Sequence, residues 1–188
     1  MNKKYELTSN TIMHFGRKLY QIKALVSFGS VSKGELGGYI EKESNLDVSG
    51  DAWVSGNAWV SGNAQVYGNA QVSGNARVYG DAVVSGNAQV SGNAWVYGDA
   101  QVYGDAQVSG NAWVSGDAMV SGTLKLMAGF FFGVKWSSDT EINQVEIEDG
   151  NYLVYKGDAK FGEDEPEITE MTVAEISKAL GKIIKIIE

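Results

Sequence analysis

From Asp51 to Gly122 a six-residue unit, (Asn/Asp)-Ala-x-Val-(Ser/Tyr)-Gly, repeats twelve times without interruption. A fixed short period of this kind constrains the fold more tightly than composition can. Valine stands at 54, 60, 66 and every sixth position to 120, with alanine two residues before it and glycine two residues after. Within Ala-x-Val-(Ser/Tyr), Ala and Val share one face of a short strand, while x and Ser/Tyr share the other. Gly-(Asn/Asp) then supplies a corner, because those residue types tolerate the bent backbone of a sharp turn. A strand of four and a corner of two would flip register in a hairpin meander, so the chain winds as a coil. Three units make an 18-residue triangular turn, and turns stacked about 4.8 Å apart pair their strands in parallel. The expectation is a mainly β protein, a three-sided parallel β-helix of four complete coils. Asn45-Leu46-Asp47-Val48-Ser49-Gly50 reads as a degenerate thirteenth unit in the same register, with Val48 in the valine position.

The flanks divide the rest of the chain. Residues 1–44 read as an N-terminal β cap: Thr11 to Phe15 and Leu19 to Leu25 alternate around Gly16-Arg17-Lys18 as a hairpin, and Leu36-Gly37-Gly38-Tyr39-Ile40-Glu41 leads into the coils. A stacked sheet needs such a cap because its end is otherwise an open edge. Residues 45–122 are the solenoid, and residues 123–162 a β-rich closing segment. In it the apolar run Leu124 to Trp136 shuts the far end of the rod, and Gln144 to Ile147 with Tyr152 to Tyr155 forms a second hairpin. Residues 163–188 form a small α+β module. An acidic linker carrying the only proline, Pro166, precedes a helix that starts at Thr172 with capping-box spacing and stops near Gly181.

Sorting the outward x positions by every third unit gives three columns: Trp53, Gln71, Gln89, Gln107; Trp59, Arg77, Trp95, Trp113; and Gln65, Val83, Gln101, Met119. The second column also carries Tyr79 and Tyr97 beside its tryptophans. Trp59, Arg77, Tyr79, Trp95, Tyr97 and Trp113 are therefore the candidate interaction residues, since Trp, Tyr and Arg carry most interface energy and three Trp in one column form a continuous apolar patch. Aromatics also suit strands and persist through repeat duplication, which is the plainer account of the same column. A regular face favours a symmetric dimer or trimer along the rod, together with a protein partner. The corner column Asn63, Asp81, Asp99, Asp117 stacks carboxylates, but Asp there is a turn residue interchangeable with Asn, and no calcium nonapeptide is present.

Fifteen basic and 23 acidic side chains give a net charge of −8, which argues against direct nucleic-acid binding, where clustered Lys and Arg must neutralise phosphates. With no cysteine, disulfides and thiolate metal sites are excluded. The first residues carry no apolar run, so neither a signal peptide nor a membrane span is expected, and a cytoplasmic location is the default. The chain holds no phosphate loop, no Gly-x-Ser-x-Gly elbow and no histidine pair at metal spacing. No catalytic, cofactor or metal residue is assigned.

Lys4-Tyr5-Glu6-Leu7-Thr8, Leu19 to Leu25, Leu36 to Glu41 and the Asn-Ala-x-Val-Tyr-Gly units together resemble hexapeptide-repeat proteins encoded by bacteriophages and prophages, some of them labelled acyltransferases or polymer-forming proteins. Met171-Thr172-Val173-Ala174-Glu175-Ile176 with Ala179-Leu180-Gly181 is similar to a tail module of small phage proteins. The resemblance implies a left-handed coil. It also implies a phage-encoded interaction protein in the host cytoplasm, with inhibition of a bacterial defence system as the sharper expectation. An acyltransferase and a virion or polymer-forming component are the alternatives. Hexapeptide acyltransferases use a histidine on the coils as general base, whereas the one histidine here, His14, lies in the N-terminal hairpin.

Overall fold

The computed structural model describes residues 3–132, together with the strands Lys135–Trp136, Asn143–Glu146 and Leu153–Lys156. Its centre is the expected solenoid. The units contribute two-residue strands from Trp53–Val54 to Met119–Val120, two of them merged in Gln107–Ser115, and within the repeat these strands pair in parallel with those 18 residues on. Three faces result. The first holds Trp53, Gln71, Gln89 and Gln107 in register, the second Trp59, Arg77, Trp95 and Trp113, and the third Gln65, Val83, Gln101 and Met119. All twelve repeat valines and all twelve alanines are buried, lining a continuous core.

The corners show why the units tolerate only glycine where they turn. Gly92 sits at φ +64°, and a Cβ there would come 2.8 Å from the backbone nitrogen of Gly110 in the next coil. Beside the glycines, asparagine side chains bridge coil to coil: Asn57 to Asn75, Asn75 to Asn93 and Asn93 to Asn111, with Nδ2 donating to Oδ1 at 3.1–3.3 Å. The acidic corner begins Lys42, Asn63, Asp81, each donating to the next at 3.0 Å. Among the described residues, no cluster of three or more His, Asp or Glu side chains is placed to hold a metal ion.

In the regular coils the Asn, x and Ser N–H groups donate forward to Gly, Ala and Val carbonyls of the next coil, as in Asn57 to Gly74, Trp59 to Ala76 and Ser61 to Val78. The first coil has no predecessor, so its Gly, Ala and Val carbonyls need donors from elsewhere. The cap supplies them. Strands β1 (Tyr5–His14) and β2 (Arg17–Ala24) form an antiparallel hairpin, β2 pairs with β3 (Leu36–Ile40), and β3 joins the second face parallel to Trp59–Val60. The hairpin reverses at Phe15-Gly16, both at positive φ, one residue earlier than the expected Gly16-Arg17-Lys18. From the cap, Tyr39 and Glu41 N–H donate to the Ala58 and Val60 carbonyls. The buried Lys4 ammonium donates to Gly50 and Ala52, both at 2.9 Å. At the equivalent corner carbonyls of Gly62 and Ala64, the buried Asn45 amide donates at 3.1 and 2.8 Å.

One expectation is corrected, and the four expected coils become five. The thirteenth unit is out of register: Leu46 is buried and bridges Val66, taking the inward role, while Val48 is 55% exposed. Gly50 stacks on Gly68 as the repeat demands, so the two additional residues lie between Leu46 and Gly50. At the other end, the apolar run lies against the last repeat coil. Lys125–Phe132 lies parallel on Gln107–Ser115, and Lys135–Trp136 lies on Met119–Val120, which makes a fifth coil. There Leu126 pairs with Val108, Phe131 with Val114 and Trp136 with Val120, so the rungs shorten from six residues to five. Asn143–Glu146 and Leu153–Lys156 pair antiparallel, as the second hairpin requires. The expected α+β module of residues 163–188, with its linker and helix, lies outside the described residues.

Candidate functional site: the aromatic face

The second face places all six expected residues together and extends them at both ends. Its outward ladder reads Tyr39, Trp59, Arg77, Trp95, Trp113, Phe130 from one coil to the next. Parallel in-register pairing is what brings these side chains face to face, because identical rung positions repeat at the coil spacing of about 4.8 Å. Trp95 and Trp113 stack with ring centroids 4.5 Å apart and planes 4° from parallel. Tyr79 and Tyr97 stack beside them at 5.0 Å and 3°. Phe130 closes the stack edge-on to Trp113 at 5.1 Å.

Arg77 interrupts the ladder without breaking it. Its guanidinium lies 4.4 Å from the Trp95 ring centre and 5.9 Å from that of Trp59. Guanidinium is weakly hydrated and planar, so an aromatic slot suits it better than it would suit lysine. Tyr79, packed against Trp59 at 5.7 Å, has its phenol raised by burial first and by neighbouring Tyr97 second.

The tryptophans are not equivalent. Trp59 is only 4% exposed because the tip of the β1–β2 hairpin covers it, His14 at 4.4 Å and Phe15 at 6.2 Å. Burial against that ring, with the charge of Arg77 second, holds the His14 imidazole below its ordinary value. The expected three-tryptophan patch is therefore two partly buried tryptophans, with Trp59 serving as the seat of the hairpin. Trp53, sorted among the outward positions of the first face, is likewise buried, packed by Phe28 at 5.4 Å and Tyr5 at 6.5 Å. The open apolar surface lies where the repeat gave no signal: Met13 and Phe15 at the hairpin tip, Met127 and Phe130 at the fifth coil, each 65–70% exposed. The hairpin tip could have been found from its apolar Met13 and Phe15. Phe130 was hidden by the five-residue rung.

The hairpin is fixed to the rod by more than ring contacts. Arg17 holds Glu41 through both carboxylate oxygens at 2.9 and 3.0 Å, and Glu41 also accepts the Gly62 N–H at 2.6 Å. Burial pushes the Glu41 carboxyl up, but the hydrogen bonds from Gly62 and Arg17 outweigh it and hold the group below its ordinary value. A separate concavity of about 300 Å³ opens on the third face, where Glu43, Asp47 and Tyr67 surround the displaced Leu46–Val48 segment.

Trp95 with Trp113 and Tyr79 with Tyr97 cover part of one another's ring faces, which makes a continuous apolar surface. Among the described residues, no helix is long and apolar enough to cross a membrane. No curated protein matches the chain. The family model described as the YdcK Beta solenoid repeat matches residues 70–86, 88–104, 100–116 and 106–122, so the chain is similar to that β-solenoid family over its central coils.

Proposed function

We propose that this chain is a non-catalytic interaction protein, a hexapeptide-repeat rod of phage origin that acts in the host cytoplasm as an oligomer and engages a host or phage protein. In its sharper form it antagonises a bacterial defence system. The observation that carries the interaction reading is the second face: partly buried Trp95 and Trp113 beside an Arg77 slotted between aromatic rings, with open Phe15 and Phe130 at the two ends. Trp and Arg at the centre of such a patch are the residue types on which interface energy concentrates. Phage origin rests on the resemblance of the Lys4–Thr8, Leu19–Leu25 and Leu36–Glu41 segments.

The test is a variant carrying Trp95→Ser, Trp113→Ser and Phe130→Ser, compared with wild type for partner capture from infected cells and for phage plating on a host with an active defence system. Wild type raises plating efficiency, and the variant does not while keeping its β-type circular dichroism. Undiminished capture and plating by a folded variant would remove the aromatic face from the function.

A further inference from the structure

Independently of the aromatic face, we infer that the third face of the rod is a docking surface for a basic segment of a partner protein, with an arginine side chain of that segment seated in the concavity at its first coil. The corners carry the first part of the argument. From Asp51 to Gly122 the repeat holds five carboxylates, Asp51, Asp81, Asp99, Asp105 and Asp117. Asp81, Asp99 and Asp117 follow Gly80, Gly98 and Gly116, which stack coil on coil at one edge of the third face, while Asp51 and Asp105 belong to the Gly50, Gly68, Gly86, Gly104 stack at its other edge. The remaining corner, between the first and second faces, is asparagine throughout, from Asn57 to Asn111. Turn chemistry accepts either residue at all three corners, so it does not account for charge on two of them alone. Asp81, Asp99, Asp105 and Asp117 are exposed, and among the described residues none of the five makes an ion pair. The repeat places no basic residue on the strands between the two rows, and Lys135, in register with Met119, belongs to the fifth coil. A face of one sign of charge attracts and orients a partner of the other.

The concavity at the head of this face supplies the specific part. It lies where the two additional residues between Leu46 and Gly50 push the chain out of the repeat, and three kinds of surface meet in it. Leu46 and Val66 line it from the core, Val48 and Tyr67 stand 55% and 41% exposed beside them, and Glu43 and Asp47 bring carboxylates to it. The Ser49 hydroxyl, donating to Asp47, is the main reason the Asp47 carboxyl lies below its ordinary value, so the group is ionised at neutral pH. At about 300 Å³ the space is at the small end of ligand sites and matches one long side chain. A guanidinium uses all three surfaces: its plane stacks on a tyrosine ring, its stem covers valine, and its forked N–H groups bond a carboxylate. The rod already holds Arg77 in this manner, 4.4 Å from the Trp95 ring centre. A bare metal ion fits less well, because among the described residues no three acidic or histidine side chains gather at one point.

The repeat's own exchange of Asn and Asp makes the test direct. One variant combines Asp81→Asn, Asp99→Asn and Asp117→Asn with Asn75→Asp, Asn93→Asp and Asn111→Asp, which keeps the net charge and moves three carboxylates to the corner opposite the third face. Asp99→Asn alone is the milder form. A further variant, Val48→Ser with Tyr67→Ser, strips the concavity, and serine is the residue other units already carry in the Tyr67 position. Fluorescein-labelled peptides of alternating arginine and serine, and of alternating lysine and serine, are titrated with the whole chain by anisotropy at low salt, and circular dichroism checks the fold of each variant. Wild type binds both peptides, the arginine one more tightly. Moving the carboxylates weakens both by about tenfold or more, and Asp99→Asn alone shifts them in the same direction. Stripping the concavity removes the preference for arginine. Trp95→Ser with Trp113→Ser binds as wild type does, which separates this surface from the aromatic face. No binding by wild type, undiminished binding by the relocated variant, or loss in the tryptophan variant overturns the docking surface. A wild type that does not distinguish arginine from lysine, or a stripped concavity that still does, overturns the arginine seat.

Discussion

Replacing Lys4 with methionine tests how the first coil is finished. Methionine keeps the length and the apolar stem but removes both donors to the Gly50 and Ala52 carbonyls. Orphaning the buried Ala52 carbonyl costs about 1–3 kcal/mol and the part-buried Gly50 carbonyl less, and the lost cation–π contact with Phe28, 4.2 Å away, adds about 0.5–2 kcal/mol. Against this, an ammonium no longer has to be desolvated, which returns part of the loss. Desolvation is the main reason the Lys4 amine lies below its ordinary value, with Asp51 and Asp47 pulling the other way. The net expectation is a destabilisation of about 2–4 kcal/mol, read as a lower urea midpoint at unchanged slope. Lys3→Met is the control, because Lys3 pairs with Glu43 at the surface and such pairs contribute about 0–1 kcal/mol. If Lys4→Met and Lys3→Met shift the midpoint equally, the carbonyls of the first coil do not need the cap's donors and the argument for the cap is wrong.

Leu46→Ala should cost about 2–5 kcal/mol and Val48→Ala less than about 0.5 kcal/mol in the same urea assay, because Leu46 fills the core and Val48 faces solvent; the reverse order would restore the unshifted register. Gly92→Ala meets both a left-handed backbone penalty of about 1–2 kcal/mol and the Gly110 backbone, whereas Gly16→Ala, at a similar φ with open space around it, meets only the first, so Gly92→Ala should lower thermal stability clearly more. Burial first, then the charges of Glu43 and Asp47, raises the Tyr5 phenol above its ordinary value. The unfolded chain therefore loses that proton first, and the stabilisation present below about pH 10 is lost as pH rises beyond it. Tyr5→Phe should be less stable at neutral pH but lose less between about pH 10 and 12, and an unchanged pH slope in thermal denaturation would contradict this.

The solenoid was legible because its determinants are local and repeated: period two inside a rung, glycine at every corner, valine and alanine always inward. The errors fall where that locality ends. Asn45 to Gly50 fits the hexamer on paper, yet the Asn45 side chain is needed to satisfy Gly62 and Ala64, and this draws Leu46 into the core and leaves Val48 outside. The fifth coil was invisible because removing one residue per rung erases a six-residue period while leaving the parallel register intact. Burial of Trp53 and Trp59 depends on Tyr5, His14, Phe15 and Phe28, all far from either tryptophan in sequence, so no column sorting could reveal it. The second face itself followed from the repeat alone, since three units per turn decide which x residues align.

Aromatic ring protons offer the most direct check on three rungs to the coil, because their nuclear Overhauser contacts report which positions stack. The account predicts strong contacts from Trp95 to Trp113, from Trp113 to Phe130 and from Tyr79 to Tyr97, and from His14 to Trp59 at the cap. Contacts linking Trp53 to Trp59, or other x residues six or twelve positions apart, in place of these would mean a different winding of the chain.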